Sequence, residues 1–176
     1  MALPVKTAAT TAILLTSLMG GHSVAADLAL NITLPKIDTA EYHRPYVAVW
    51  LEGDNRKVVR DIAVWYENKK ADGEGKKWLK DLRQWWRISG RTQGEPDDAV
   101  TGATRPVGDH TINVPATAAA LKDLPPGQYE VVVEASREKG GRELIRLPLA
   151  WPPTVAQHQA TEGKHELGAV ALHANP

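Results

Sequence analysis

The chain has no cysteine and no phenylalanine, only two methionines, and no net charge, with 21 basic residues against 21 acidic ones. Lack of cysteine excludes disulfides, a thiolate nucleophile, an iron–sulfur cluster and a haem attachment motif. Stability must therefore come from packing, and any chemistry from other side chains or a cofactor. Neutrality argues against nucleic acid and against electrostatic docking on a membrane, since both need a basic surface. No Gly-x-Ser-x-Gly, His-Glu-x-x-His or paired-carboxylate arrangement occurs, so no hydrolytic centre is legible and the chain is not expected to be an enzyme. His43, His110, His158, His165 and His173 show no metal-ligand spacing.

Residues 1–26 read as a secretory signal. Lys6 supplies the positive start, Ala8 to Met19 an apolar core, and Val24-Ala25-Ala26 a small-residue cleavage site. The apolar run is interrupted by Thr and Ser and is too short to span a bilayer comfortably. The expectation is export to the periplasm, with no membrane insertion after cleavage. Residues 27–176 remain as a single domain large enough for its own core.

Within that domain β-signals dominate. Leu28, Leu30, Ile32 and Leu34 alternate with Ala29, Asn31 and Thr33, as in a half-buried strand stopped by Pro35. Tyr46 to Leu51 is nearly continuous apolar sequence, which predicts a central strand covered on both faces. Gly53-Asp54-Asn55 turns it into a second strand over Val58 to Tyr66. From Lys76 the period changes to that of a helix. Trp78, Leu79, Leu82, Trp85 and Trp86 share one face, Lys77 and Asp81 stand four apart, and Gly90 follows as a cap. This predicts one amphipathic helix over about 76–89, covering a sheet edge or an open end of the domain. One of Trp85 and Trp86 must stay partly exposed, because both cannot point inward.

The second half returns to strands, over Pro106 to Ile112 and from Tyr129 to Ala135, the latter with Glu130 and Glu134 facing out. A turn at Lys139 to Arg142 precedes Leu147, Leu149 and Trp151. Thr154 to Gly163 reads as a polar loop, and Leu167, Ala169 and Ala171 as a last strand. Short strands, regular turns and no βαβ alternation predict an all-β fold, an Ig-like antiparallel β-sandwich with one inserted helix.

Several blocks resemble a known family. They are Tyr42-His43-Arg44-Pro45-Tyr46-Val47-Ala48-Val49-Trp50, Lys77 to Arg87, Asp98 to Pro106, and Leu124 to Ala135. In that order they resemble the predicted periplasmic proteins catalogued as domain of unknown function 2271. The resemblance covers most of the mature chain. That family has no established activity. Its gene neighbourhoods hold PepSY-type membrane proteins and flavin transferases, which implies an extracytosolic redox setting. The Pro-Pro-Gly-x-Tyr strand is also similar to Ig-like domains of flagellar hook-capping proteins.

A shorter resemblance falls on Asp98-x-x-Thr101-Gly102-Ala103-Thr104. It is similar to the flavinylation motif of FMN-binding domains, whose final Thr is esterified to FMN phosphate by a separate transferase. The resemblance implies Thr104 as acceptor, with Asp98, Thr101, Gly102 and Ala103 as the residues the transferase reads. Those domains continue with apolar and hydroxyl residues, whereas Arg105-Pro106 follows here. Gly102 and Ala103 permit close approach to the backbone. Pro106 keeps Arg105 extended, and Arg105 is placed to pair with a phosphodiester. An isoalloxazine ring could stack on Trp78, Trp85 or Trp86. The expected partners are a flavin transferase and a PepSY-type membrane redox protein. The bland alternative is a turn whose threonine hydroxyls satisfy local backbone groups, in a structural or binding module of the envelope.

Overall fold

The computed structural model describes residues 27–53 and 59–176. The signal read over residues 1–26 and the tip of the first hairpin lie outside the described residues. Among the described residues, nine strands form two sheets: β1 (Asp27–Leu34), β2 (Tyr46–Gly53), β3 (Val59–Tyr66), β4 (Thr101–Ala103), β5 (Gly108–Val114), β6 (Gly127–Ser136), β7 (Arg142–Trp151), β8 (Gln157–Glu162) and β9 (Ala169–Asn175). One sheet has the order β5-β1-β9-β8 and the other β4-β3-β2-β6-β7. This is the expected sandwich, antiparallel except where β4 runs parallel to β3.

Alternation decides which side chains fill the gap between the sheets. Leu28, Leu30, Ile32 and Leu34 point in from β1, and Val47, Val49 and Leu51 from β2. Val131 and Val133 of β6 and Leu147 and Leu149 of β7 meet them, and all of these are buried. The intervening residues of β2 are buried too. Ala48 and Trp50 join Val64, Tyr66 and Val132 in a second cluster on the outer face of the five-stranded sheet. That cluster is roofed by the helical insertion through Leu79, Leu82 and Trp85. The insertion therefore covers a sheet face, not an edge or an open end as expected. Trp50 and Trp85 are both fully buried. Each indole withdraws about 200 Å² from water, a gross gain of about 5 kcal/mol before ordering entropy is subtracted.

The helix departs from the even three turns expected over 76–89. Tight 3₁₀ turns occupy Ala71–Asp81, an α turn follows at Arg83–Trp85, a wider π turn at Trp86–Gly90 and a last α turn at Arg91–Gln93. Asp72 and Gly73 break the first part with positive φ, and Leu82 breaks the junction at φ −75°, ψ 71°. Gly90 is not the cap; it lies inside the segment, where a Cβ would come within 2.5 Å of the Trp85 ring. Gly94, at φ 76°, ends the segment. Lys77 pairs with Glu74 at 3.1 Å rather than with Asp81, because the tight turns bring i and i+3 together. Of the tryptophans, Trp85 is buried and Trp86 half-buried, as the crowding argument required. Trp78 is not part of the core: it is 43% exposed.

Three further expectations are corrected. Glu134 was placed outward, yet it is fully buried, because the insertion covers that face of β6. The polar loop over Thr154 to Gly163 contains β8, an edge strand. The last strand turns Val170, Leu172 and Ala174 inward and leaves Ala169 out, while Leu167 is buried ahead of it.

Loops at one end are tied by buried charge. Arg137 meets Glu166 through Nε at 2.9 Å and Nη2 at 3.2 Å, and Gly141 donates its amide to the same carboxylate. Glu143 accepts four successive backbone amides, from Lys164 to Leu167, at 2.6 to 3.0 Å.

Candidate functional site

The stretch Asp98 to Arg105 emerges from the insertion and runs along the free side of β3. It is more ordered than the exposed loop expected of it. Asp97 builds the entry turn: its carboxylate accepts from the Ala99 amide at 2.8 Å, and its carbonyl accepts from the Val100 amide and the Thr101 hydroxyl. Thr101 to Ala103 then form β4, pairing with Val64, Trp65 and Tyr66. The ladder extends one bond to either side, from the Val64 amide to the Val100 carbonyl at 2.7 Å and from the Thr104 amide to the Tyr66 carbonyl at 3.1 Å. A β-branched and aromatic β3 favours such pairing, and short polar β4 makes a small edge.

Gly102 sits flush on the buried Trp65 indole. A Cβ at that position would lie 3.0 Å from Trp65 Cδ1. Arg105 folds back over the same ring, its guanidinium carbon 5.3 Å from the centroid. His110 approaches Trp65 edge-on at 5.8 Å, and its Nε2 lies 2.7 Å from the Pro106 carbonyl. Trp65 therefore braces the chain on both sides of Thr104. The two threonines differ. Thr101 has its hydroxyl committed to Asp97, whereas half-buried Thr104 has no hydrogen bond to its hydroxyl among the described residues. Asp98 is exposed and its carboxylate is likewise without a hydrogen bond among them.

Thus the six residues singled out in the sequence, Asp98, Thr101, Gly102, Ala103, Thr104 and Arg105, lie along one edge. The structure brings Arg105 and Gly102 together on Trp65, a residue that sequence reasoning passed over. Its only signal was its place at the end of β3. An open cleft of about 550 Å³ adjoins the start of the stretch, lined by Asp97, Ala99 and Val100 together with Asp61, Gln93 and Glu95. Among the three tryptophans considered for ring stacking, buried Trp85 is unavailable. Exposed Trp78 lies in a small depression with His43, Arg44, Tyr46 and Glu67. Burial raises the Tyr46 phenol above its ordinary range, and its hydroxyl donates to the Gly75 carbonyl at 3.1 Å, with the Glu67 carboxylate at 3.4 Å.

Half-buried Asp61 and buried Glu52 are structural in their contacts. Asp61 accepts from Trp85 Nε1, Ser89 and Gln93. Glu52 meets Trp50 Nε1 and Arg146. Burial disfavours the Arg146 cation, but its bonds to Glu52 and Glu130 outweigh that and raise its pKa. Among the described residues no group of three or more His, Cys, Asp or Glu is arranged to hold a metal ion.

No curated protein and no solved structure matches the chain. A family model described as predicted periplasmic protein matches residues 27–169, which agrees with the export signal read over residues 1–26. That match takes in every described element up to the start of β9, and on it the chain belongs to the DUF2271 family of predicted periplasmic proteins.

Proposed function

We propose that the protein is a periplasmic flavin carrier, with FMN joined through its phosphate to Thr104. The observation that carries this reading is the contrast within one stretch: Thr101 spends its hydroxyl on the entry turn, while the hydroxyl of half-buried Thr104 has no hydrogen bond among the described residues. In the transfer, the Thr104 oxygen would attack the flavin-side phosphorus of a flavin dinucleotide. The phosphoanhydride bond would break as the ester forms, the nucleoside monophosphate would leave with the bonding electron pair, and the hydroxyl proton would pass to solvent. A separate transferase would supply the catalytic groups, so this chain is its substrate.

The residues present fit such a group. Arg105, next in sequence, is exposed and held over Trp65, and a guanidinium there suits the negative phosphodiester through charge-assisted hydrogen bonds. Gly102 and Ala103 present little side-chain bulk beside the acceptor, which lets a transferase reach the backbone. Outside the cytosol a merely bound flavin is lost by dilution, and a covalent link prevents that loss. FMN so held supplies one- and two-electron transfer. Its electrons would pass to or from a PepSY-type membrane redox protein.

A second reading is favoured by a different observation. Gly102 is required by the close approach of Trp65, and Thr101 by the Asp97 turn, so packing alone accounts for two of the five residues of the motif. Under that reading the protein is a non-redox structural or binding module. Intact-mass spectrometry after periplasmic co-expression with a flavin transferase separates the two. The carrier gains one FMN, retains its fluorescence in a denaturing gel, and loses both in Thr104→Ala. An unmodified wild type, or an adduct surviving in Thr104→Ala, overturns the carrier reading.

A further inference from the structure

His158 and His173 are fifteen residues apart in a sequence that showed no ligand pattern, but the β8–β9 register sets them directly opposite each other. Their rings stand 4.4 Å apart at an interplanar angle of 45°, and the two Nδ1 atoms are 3.2 Å apart. Both side chains project from the outer face of the four-stranded sheet, where β8 is the edge strand. His158 is exposed and His173 half-buried.

We infer that this pair is a binding site for a divalent late first-row metal ion, of the zinc or copper(II) class, held by the two Nδ1 atoms. The distances favour it. A metal at the usual ~2.05 Å from each imidazole nitrogen, with the nitrogens 3.2 Å apart, closes an N–metal–N angle of about 100°. That lies close to both tetrahedral and square-planar demands. The strand pairing fixes both backbones, so only the side-chain torsions remain to be ordered on binding.

The ring tautomers also suit ligation. Two neutral imidazoles with facing Nδ1 atoms share at most one hydrogen between them. Neither Nε2 has a protein partner among the described residues, so each can carry its proton toward water. With both hydrogens on Nε2, both Nδ1 lone pairs are open to the metal and no hydrogen has to be displaced.

Space and selectivity follow from the neighbours. Ala29 stands opposite His173 on β1, and Ala171 and Ala160 are the next pair on the same face of the sheet. These methyl groups leave room for water to complete the coordination shell. No carboxylate joins the pair in a metal-holding group among the described residues. The donor set is therefore nitrogen and water, which suits zinc, copper(II) and nickel and gives magnesium or calcium nothing they prefer.

This inference does not depend on the flavin reading, since it concerns the opposite sheet. It is tested on untagged mature protein by calorimetric titration with Zn(II) and Cu(II) at neutral pH. One equivalent should bind per chain, and His158→Ala or His173→Ala should each weaken binding by on the order of tenfold or more. Circular dichroism checks that these exposed-face variants fold. His165→Ala is the control and should bind as the wild type does. Electron paramagnetic resonance of the one-equivalent Cu(II) complex should show two coupled imidazole nitrogens. Zn(II) should also raise the melting temperature of the wild type and not of either variant, because the ion ties β8 to β9. Binding that survives both substitutions, that falls equally in the control, or that shows fewer than two nitrogens overturns the inference.

Discussion

The fully buried carboxylate of Glu134 on β6 accepts the backbone amide of Trp85 at 2.8 Å, and its other oxygen accepts the amide of Gln84 at 3.0 Å. These amides open the α turn just after Leu82 breaks the helical path. A negative charge there satisfies two orphan donors at once. Arg142, reaching over from β7, balances the charge. One side chain of the sheet thereby fixes where the helical insertion restarts and which face of Trp85 enters the core.

Glu134→Ala should therefore cost about 2–4 kcal/mol, since it orphans two amides and leaves Arg142 without its partner. Glu134→Gln should cost less, because one amide oxygen still accepts a bond. Urea denaturation followed by tryptophan emission reads the midpoint. A loss below about 0.5 kcal/mol for the alanine variant would show that the insertion is held by apolar packing alone.

Glu143 gives the protein an acid-sensitive clamp. Burial pushes its pKa up, but the four backbone amides from Lys164 to Leu167 outweigh that and hold it below the ordinary 4.5. The folded value is thus lower than the unfolded one. The stabilisation is fully present above about pH 4.5 and is lost as pH falls from there through the folded pKa. Denaturation midpoints measured downward from neutrality should fall in that window, and Glu143→Gln should flatten part of the decline. An unchanged acid limb in the variant would assign the decline to other carboxylates.

The sandwich was legible because β1, β2, β6 and β7 carry apolar alternation or continuous apolar runs, and those patterns report burial directly. The strand β8 was not. Gln157, His158, Gln159, Ala160 and Thr161 offer no apolar face, since an edge strand draws its order from the neighbouring backbone. With β8 invisible, the opposition of His158 and His173 was invisible too. The burial of Glu134 was misjudged for a related reason. Alternation says which residues share a face, but only the tertiary position of the insertion says that the face is covered. The candidate stretch was found from residue types alone, whereas its brace, Trp65, became apparent only from the parallel pairing of β3 with β4.

Gly102 offers the sharpest separation of packing from modification. Replacing a glycine by alanine in an ordinary strand conformation favours folding by about 0.4–1 kcal/mol through the unfolded chain. Here the added methyl meets Trp65 Cδ1 at 3.0 Å, and that indole is buried, with Arg105 against it. The clash should prevail, so Gly102→Ala should lower stability by about 1 kcal/mol, read by thermal denaturation. The Thr104 hydroxyl is untouched by this change. If Gly102 serves packing only, the variant should take up FMN from a transferase as fast as the wild type at temperatures well below its melting point. If the transferase needs close approach to the backbone, the rate of adduct formation should fall several-fold under the same conditions, and Thr101→Ala, which disturbs the entry turn but not Trp65, should keep more of it. Equal rates for all three proteins would leave Thr104 as acceptor but remove Gly102 and Thr101 from what the transferase reads.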